Sequence, residues 1–462
     1  MSLEDKLYPL LSLYERMPRR VKRLAGASYR RLPENVRRGS HYREFKKLAE
    51  EGENWSRAES EEYQFRELRR VLEHAQQHCP FYRGRFASAG FDLSRFNSLS
   101  DLARCPFLAK SDLLQDRESM LSDAYPESAR LYITTGGSTG VPVGFYLHKG
   151  ISRPKEQAFL EGIWKRGGYF DGARLALLRG HVTSSRSGGR ICSYDATRDW
   201  LVLSSNHLTP ERLPLYLEEL ERFKPDLLYV YPSSALRLAD YLQEAGAPWR
   251  LPLRGILCGS ERLTEPQRHL IESTFNCRAY SWYGHSERAI LAAEGRKSSF
   301  YYFVPQYGYV EFGPPTPEGL REVIGTSFHN LVMPLIRYRT GDYVRLAEGD
   351  GLEYPVPAVS EIAGREQEYL VSGSGRKISL TAFNMHDSIF DGLYAVQFFQ
   401  ERPGVAEFRF VPGPGFNSSR LAKIEAGIRR KLGNDFAVEL KSVEVVEKTP
   451  TGKHKWLVTT LK

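Results

Sequence analysis

The sequence predicts an α/β protein with a large N-terminal domain, built of parallel sheets covered by helices plus a β-rich subdomain, and a small mobile α+β domain at the C-terminal end. Three observations carry this. Apolar β-type runs alternate with helical ones from Arg130 to about Gly284, the pattern of a parallel sheet with ligand sites at its strand ends. Short β-rich segments separated by Gly and Pro follow between Tyr301 and Leu346. Beyond Gly364-Arg365 come a hairpin, a helix over about 417–432 and a final strand. At 462 residues the chain exceeds the usual single-domain range. We divide it into a basic extension (1–59), a large domain (60–364) and a small domain (365–462).

The first fifty residues hold thirteen Lys/Arg against six Asp/Glu, so most of the net charge of +9 is concentrated there. One local basic element argues against a general nucleic-acid-binding surface. In LEDKLYPLLSLYERM and PRRVKRLAGASYRRLPENVRR, Leu, Val and Tyr are interleaved with charged residues. Such a segment suits an anionic membrane face or an acidic biosynthetic partner, where charges meet headgroups and apolar side chains insert. Pro9 and Pro18 interrupt any long helix, and the competing expectation is an extension lying across the protein's own surface. No run approaches the roughly 18 apolar residues of a membrane span, and the first residues lack the pattern of a secretory leader. The expected location is cytoplasmic, with peripheral contact at the inner membrane face if the basic element meets lipid. The five cysteines are scattered without CxxC spacing, which predicts reduced structural thiols rather than a zinc site.

Within the large domain, Phe65, Leu68, Val71, Leu72 and Ala75 mark a helical repeat that ends near Cys79-Pro80. A second helix–loop region runs to about Leu121. RLYIT then precedes a Gly-rich turn, followed by ARLALLRG, a helix over 210–223, DLLYVYP, a helix over 233–245, RGILCG, a helix over 264–275 and RAYSWYG. The β-rich subdomain reads as YGYVEFG, EVIGTS and LIRYRTGDYVRL.

The segment richest in chemistry is Thr134-Thr135-Gly136-Gly137-Ser138-Thr139-Gly140-Val141-Pro142, directly after RLYIT. A polyphosphate needs many donors and close backbone approach. Glycines remove side-chain bulk and permit positive φ, while hydroxyls and exposed N–H groups wrap the anion. No GK[ST] follows, so this is not a P-loop. Taken alone, such a turn is equally a solvated loop.

The run from Thr135 to Pro142 resembles the phosphate-binding signature of the adenylate-forming superfamily, which includes acyl-CoA ligases, luciferases and peptide-synthetase adenylation domains. Gly136 stands where many members carry Ser. Trp282-Tyr283-Gly284-His285-Ser286-Glu287 resembles the family's Y-G-x-[ST]-E element. The resemblance implies that Tyr283 lies against adenine, that Ser286 reaches phosphate and that Glu287 holds Mg²⁺, which needs such a carboxylate. His285 is open between substrate contact and a structural role. Gly259-Ser260-Glu261 resembles the turn that approaches adenine and part of the acyl group. Pro334 to Asp342 resembles the Y-R-T-G-D signature, whose aspartate, here Asp342, accepts hydrogen bonds from both ribose hydroxyls. Arg365 matches a nucleotide-contacting arginine before the domain hinge, for which Gln367 is the candidate. Thr449 to Lys453 resembles the C-terminal element whose lysine steadies the attacking carboxylate and the α-phosphate. CPFLAKSDL, TTGGSTGVP and MPLIRYRTGD together resemble the phenylacetate-CoA ligase branch, especially its CapK-type members associated with polysaccharide biosynthesis.

What the resemblance implies is ATP- and Mg²⁺-dependent activation of a small carboxylic acid to its acyl-adenylate, with Lys453, Glu287 and Thr135 as the catalytic set. Transfer to CoA, another thiol or an amine such as an amino sugar would follow rotation of the small domain. Position at strand ends nominates Tyr229, Tyr231, Ser233 and Trp282 for the acyl pocket, and His181 with Arg186 for a polar or anionic acid. The competing readings are an enzyme that stops at the adenylate and a non-catalytic scaffold of the same fold.

Overall fold

The computed structural model describes residues 18–134, 143–179, 191–205, 208, 211–261, 263, 265–316, 319–349, 352–363, 369–380, 390, 393–412, 416–433, 435–447 and 457–461. Helices α1 (Arg19–Arg31) and α2 (Glu34–Gly52) precede α3 (Arg57–His78) and α4 (Pro80–Ser88). Ser56 and Glu59 form a capping box that starts α3, and the predicted stripe of Leu68, Val71, Leu72 and Ala75 is buried. Cys79 closes α3 and Pro80 opens α4, as the missing proline N–H requires. A short helix α5 (Lys110–Gln115) follows.

RLYIT does not join the main sheet. As β1 (Arg130–Thr134) it pairs antiparallel with β2 (Gly144–His148) in a separate hairpin. Leu131 and Tyr132 stay exposed there, which a doubly covered parallel strand does not allow. Helix α6 (Ser152–Trp164), absent from the sequence reading, comes next.

The alternating region forms β3 (Leu175–Leu178), the added hairpin strands β4 (Cys192–Asp195) and β5 (Trp200–Leu203), α7 (Leu213–Phe223), β6 (Leu227–Val230), α8 (Pro232–Glu244), β7 (Gly255–Cys258), α9 (Glu265–Phe275) and β8 (Ala279–Gly284). Neighbours in the order β8-β7-β6-β3-β5 are all parallel. The strands are short, apolar and buried on both faces, and α7, α8 and α9 cover one of them.

The β-rich region is not a separate sheet. β9 (Leu291–Glu294), β10 (Tyr301–Phe303), β11 (Gly308–Pro315), β12 (Arg321–Ser327), β13 (Tyr338–Leu346) and β14 (Ala358–Ile362) extend the same sheet to twelve strands in the order β11-β12-β13-β14-β10-β9-β8-β7-β6-β3-β5-β4. β8 is the seam, being parallel to β7 and antiparallel to β9. The C-terminal region comprises the hairpin β15 (Tyr369–Val371) and β16 (Lys377–Ser379), then β17 (Leu393–Arg402), β18 (Val405–Pro412), α10 (Ser418–Leu432), β19 (Ala437–Ser442) and β20 (Leu457–Thr459). Its four-stranded sheet, ordered β19-β18-β17-β20, has its own core around Phe398, Phe408, Ile424 and Ile428.

The basic N-terminal segment lies in part across the protein's own surface. Helix α2, broken at Gly39 (φ 83°), packs Phe45, Leu48 and Ala49 against the cluster of Phe159, Ile163 and Trp164. Arg38 Nη1 donates to both oxygens of the buried Glu161 at 2.9 and 2.7 Å, and the Tyr42 hydroxyl donates to the same carboxylate. Lys46 pairs with Asp171 at 2.7 Å, Lys165 with Glu50 at 2.6 Å and Arg166 with Glu53 at 2.8 Å. Removing one partner of a buried pair strands the other charge. Arg38→Met should therefore destabilise the fold by about 3 kcal/mol in chemical denaturation, and Arg38→Met with Glu161→Gln should recover most of that loss. Among the described residues no helix is long and apolar enough to cross a membrane.

Candidate active site

Four neighbouring parallel strands end side by side, and their C-terminal ends deliver the candidate residues. Past β7, Gly259 lies against Trp282, and a Cβ there would collide with the indole ring. Ser260 follows with φ 68°, so the turn is both tight and left-handed. Glu261 is buried beside it. From the ends of β6 and β8 come Tyr229 and Trp282, with ring centroids 5.5 Å apart, both packed on Trp164 of α6. Tyr231 is buried at the start of α8. Ser233 lies in the first turn of α8.

β8 then supplies Tyr283 and Gly284, and the turn beyond it carries His285, Ser286 and Glu287. Glu287 is buried. His285 Nδ1 lies 2.9 Å from its Oε2, and the Tyr338 hydroxyl donates to Oε1 at 2.7 Å. Burial by itself would raise this carboxyl. The hydrogen bond and charge of His285, the charge of Lys110 and the Tyr338 hydroxyl outweigh it and hold Glu287 down to about 2. The buried Nε2 of His285 has no hydrogen-bond partner among the described residues. Lys110 owes its place to a backbone bridge. Leu108 N donates to Arg337 O at 3.0 Å and Arg339 N donates to Leu108 O at 2.9 Å, which sets the start of α5 beside Tyr338.

Asp342 reaches the same region through a bulge. Glu322 pairs with Tyr343 and Ile324 with Arg339, so Thr340, Gly341 and Asp342 of β13 stand opposite Val323 alone. Gly341 takes φ 74° within the bulge, and such bulges redirect side chains. The Thr340 hydroxyl donates to Val323 O at 2.8 Å and accepts from Asp342 N at 3.1 Å. The Asp342 carboxylate accepts from the Tyr283 hydroxyl at 2.8 Å.

The turn that carries Glu287 is braced from behind. Arg288 has φ 54°, and its guanidinium donates to Ser152 O at 2.9 Å and Oγ at 2.6 Å. From the same helix, buried Lys155 donates to Arg288 O and Tyr307 O, both at 3.3 Å.

Each oxygen of Glu287 accepts one hydrogen bond from the described residues and keeps a lone pair. That suits a Mg²⁺ ion carried on phosphate oxygens and held by a single carboxylate. Among the described residues no group of three or more His, Cys, Asp or Glu forms a fuller metal cluster. Tyr283 with Asp342 offers an aromatic ring and an acceptor-only carboxylate at the adjoining end, a chemistry that fits a nucleoside.

Of the residues nominated from sequence, Gly259, Ser260, Glu261, Trp282, Tyr283, Gly284, His285, Ser286, Glu287, Asp342, Tyr229 and Tyr231 lie on these strand ends, turns and the bulge. Thr134 ends β1, paired with Gly144. Thr135 to Pro142, His181, Arg186, Arg365, Gln367 and Lys453 lie outside the described residues. Sequence reasoning missed Arg179, Lys110 and Tyr338. Tyr338 stood inside a motif already quoted without a role, and Lys110 inside CPFLAKSDL.

No protein-family model matches the chain. The phenylacetate-coenzyme A ligase of Pseudomonas putida is 29% identical over 323 residues, covering 67% of this chain and 71% of that protein. Protein CapK of Staphylococcus aureus is 22% identical over 373 residues, covering 79% and 82%. A solved 2-hydroxyisobutyryl-CoA ligase, in complex with 2-HIB-AMP and CoA, superposes with a TM-score of 0.57 at 19% identity, covering 87% of this chain and 90% of that one. With that fold and these relatives, the chain is similar to phenylacetate-CoA ligases and to CapK, a likeness that supports an AMP-forming ligase.

Proposed function

We propose that this ligase activates a small carboxylic acid with Mg·ATP, releases pyrophosphate, and passes the acyl group from its adenylate to the thiol of CoA. The observation that carries the proposal is the pairing, across the β8 seam, of a nucleoside-type corner (Tyr283 with Asp342) and a phosphate-type corner (Glu287 with His285 and Tyr338). In this reading Tyr283 lies against adenine and Asp342 accepts from the ribose hydroxyls. Glu287 would hold a Mg²⁺ ion, which would supply neutralisation of phosphate charge. Its hydrogen bonds fix the carboxylate ionised and oriented before substrate arrives, so no reorganisation is needed during reaction. The hydroxyl of Ser286 and, when it carries a proton, Nε2 of His285 are available to donate to phosphate or acyl oxygens. The Thr135–Gly140 loop, Arg365 and Lys453 complete the set on the strength of their motifs. The substrate carboxylate attacks the α-phosphorus, the bond to the bridging oxygen of pyrophosphate breaks, and catalysis is mostly positioning and charge neutralisation.

The test is ATP–pyrophosphate exchange with a panel of acids, followed by assay of CoA consumption. Acid-dependent exchange with thioester product is the expected result, and exchange absent for every acid would overturn it. An amine acceptor is the second reading, which rests on the sequence resemblance to CapK-type members associated with polysaccharide biosynthesis. It predicts acid-dependent exchange with CoA untouched and an added amine acylated instead.

For the basic extension we infer a peripheral contact with an anionic membrane through α1, supported by the exposure of Val21 and Leu24 on that Arg/Lys-rich helix. Leu24→Glu should abolish co-sedimentation with anionic vesicles while leaving exchange activity unchanged. Equal sedimentation of the two proteins would refute the contact.

A further inference from the structure

Arg179 is the first residue beyond β3 and enters the aromatic cluster at the strand ends. Its guanidinium carbon lies 4.3 Å from the Tyr229 ring centroid, 5.1 Å from that of Tyr231 and 5.9 Å from that of Trp282. One Nη2 hydrogen goes to the Ser260 hydroxyl, and the Tyr231 phenol takes another donor. Nε is shielded from solvent and has no partner among the described residues. Among the described residues no carboxylate stands within ion-pairing distance of it. The charged groups that face it are Glu261, whose carboxylate acts through space, and the ionisable Tyr231 and Cys258.

A guanidinium has five N–H donors in a planar fork, and stacking on aromatic faces leaves the fork edge free. Leaving such a cation in an aromatic recess with a shielded, unmatched donor is costly unless an anion arrives to meet it. Burial is the largest influence on it and holds the guanidinium below its ordinary range despite Glu261. The recess is shaped by Trp282, Tyr229 and Ser260, which border the turn where adenine and acyl group are expected to meet. A purely apolar acid, such as an arylacetate, would have to cover that cation without satisfying it.

Building on the acid-activation reading above, we propose that Arg179 receives a second carboxylate on the tail of the substrate, so that the acid activated is a dicarboxylic acid. One carboxylate goes to the α-phosphorus and the other to the guanidinium fork. Arg–carboxylate pairing is bidentate and strengthens where aromatic walls lower the local polarity. Arg179 is then a specificity-determining residue of the acyl pocket, which Tyr229 and Trp282 line on either side of the substrate stem.

The experiment measures kcat/KM for ATP–pyrophosphate exchange with three- to six-carbon dicarboxylic acids, their monomethyl esters and phenylacetate. It uses the wild-type chain, Arg179→Met and Arg179→Lys, each checked for native circular dichroism. Expected is a preference of about 100-fold or more for the best diacid over its monoester and over phenylacetate. In Arg179→Met the diacid loses about 100-fold, mostly through KM, while the monoester stays within about threefold, and Arg179→Lys recovers part of the loss. The inference is overturned if the wild-type chain prefers phenylacetate or the monoesters, or if Arg179→Met lowers all acids equally, as a structural role would. Exchange with neutral acids and no discrimination removes the Arg179 inference and leaves acid activation standing. Absence of exchange with every acid overturns both.

Discussion

Glu287→Gln is expected to lower acid-dependent ATP–pyrophosphate exchange by about 10³-fold and to raise the Mg²⁺ concentration needed for half-maximal rate. Gln keeps the size of the side chain and an acceptor for the Tyr338 hydroxyl. What disappears is the full negative charge that His285, Lys110 and Tyr338 hold in place. A hard cation discriminates strongly between a carboxylate and an amide, so the deficit should shrink, without vanishing, as Mg²⁺ is raised. Tyr338→Phe is the companion variant. It leaves the charge but frees one oxygen, and should cost about tenfold with a smaller Mg²⁺ shift. Exchange that is unimpaired in Glu287→Gln at low Mg²⁺ would remove Glu287 from the mechanism.

Lys453→Ala should reduce exchange by a similar factor of about 10³, through a different half of the chemistry. A lysine that acts as a point charge on the attacking carboxylate and α-phosphate contributes while the adenylate forms and is no longer needed once pyrophosphate has left. The variant given preformed acyl-adenylate should therefore make thioester at close to the wild-type rate. Measuring both half-reactions on one preparation distinguishes this from misfolding, which would depress the two together. Undiminished exchange in Lys453→Ala would contradict the proposed mechanism.

The parallel half of the sheet was legible because doubly buried strands are apolar runs, as in Leu175–Leu178 and Gly255–Cys258, and because Gly and Pro punctuate their ends. The site turn was legible for a different reason, because Trp282 to Glu287 resembles the superfamily's Y-G-x-[ST]-E element. RLYIT misled because five residues with β character do not declare which sheet they join, and exposure of Leu131 and Tyr132 was invisible. That β8 sews an antiparallel half onto the parallel one depends on pairings between distant segments. The bulge that carries Asp342 needed the register of β12 against β13, which only the fold supplies. Arg179 was passed over for His181 and Arg186 because a cation after a strand looks ordinary until its described neighbours are known to include no ion-paired acid.

The brace behind Glu287 changes what an N-terminal deletion would report. Helix α2 lies on α6, and α6 holds the Arg288 turn through Ser152 and Lys155. Cutting away residues 1–50 would expose the apolar face of α6 and leave Glu161 without Arg38. A truncated chain that fails to bind vesicles, or fails to turn over, would then be reporting a loosened foundation rather than a missing anchor. The leading segment is better treated as a keystone than as an appendage, to be questioned one exposed side chain at a time.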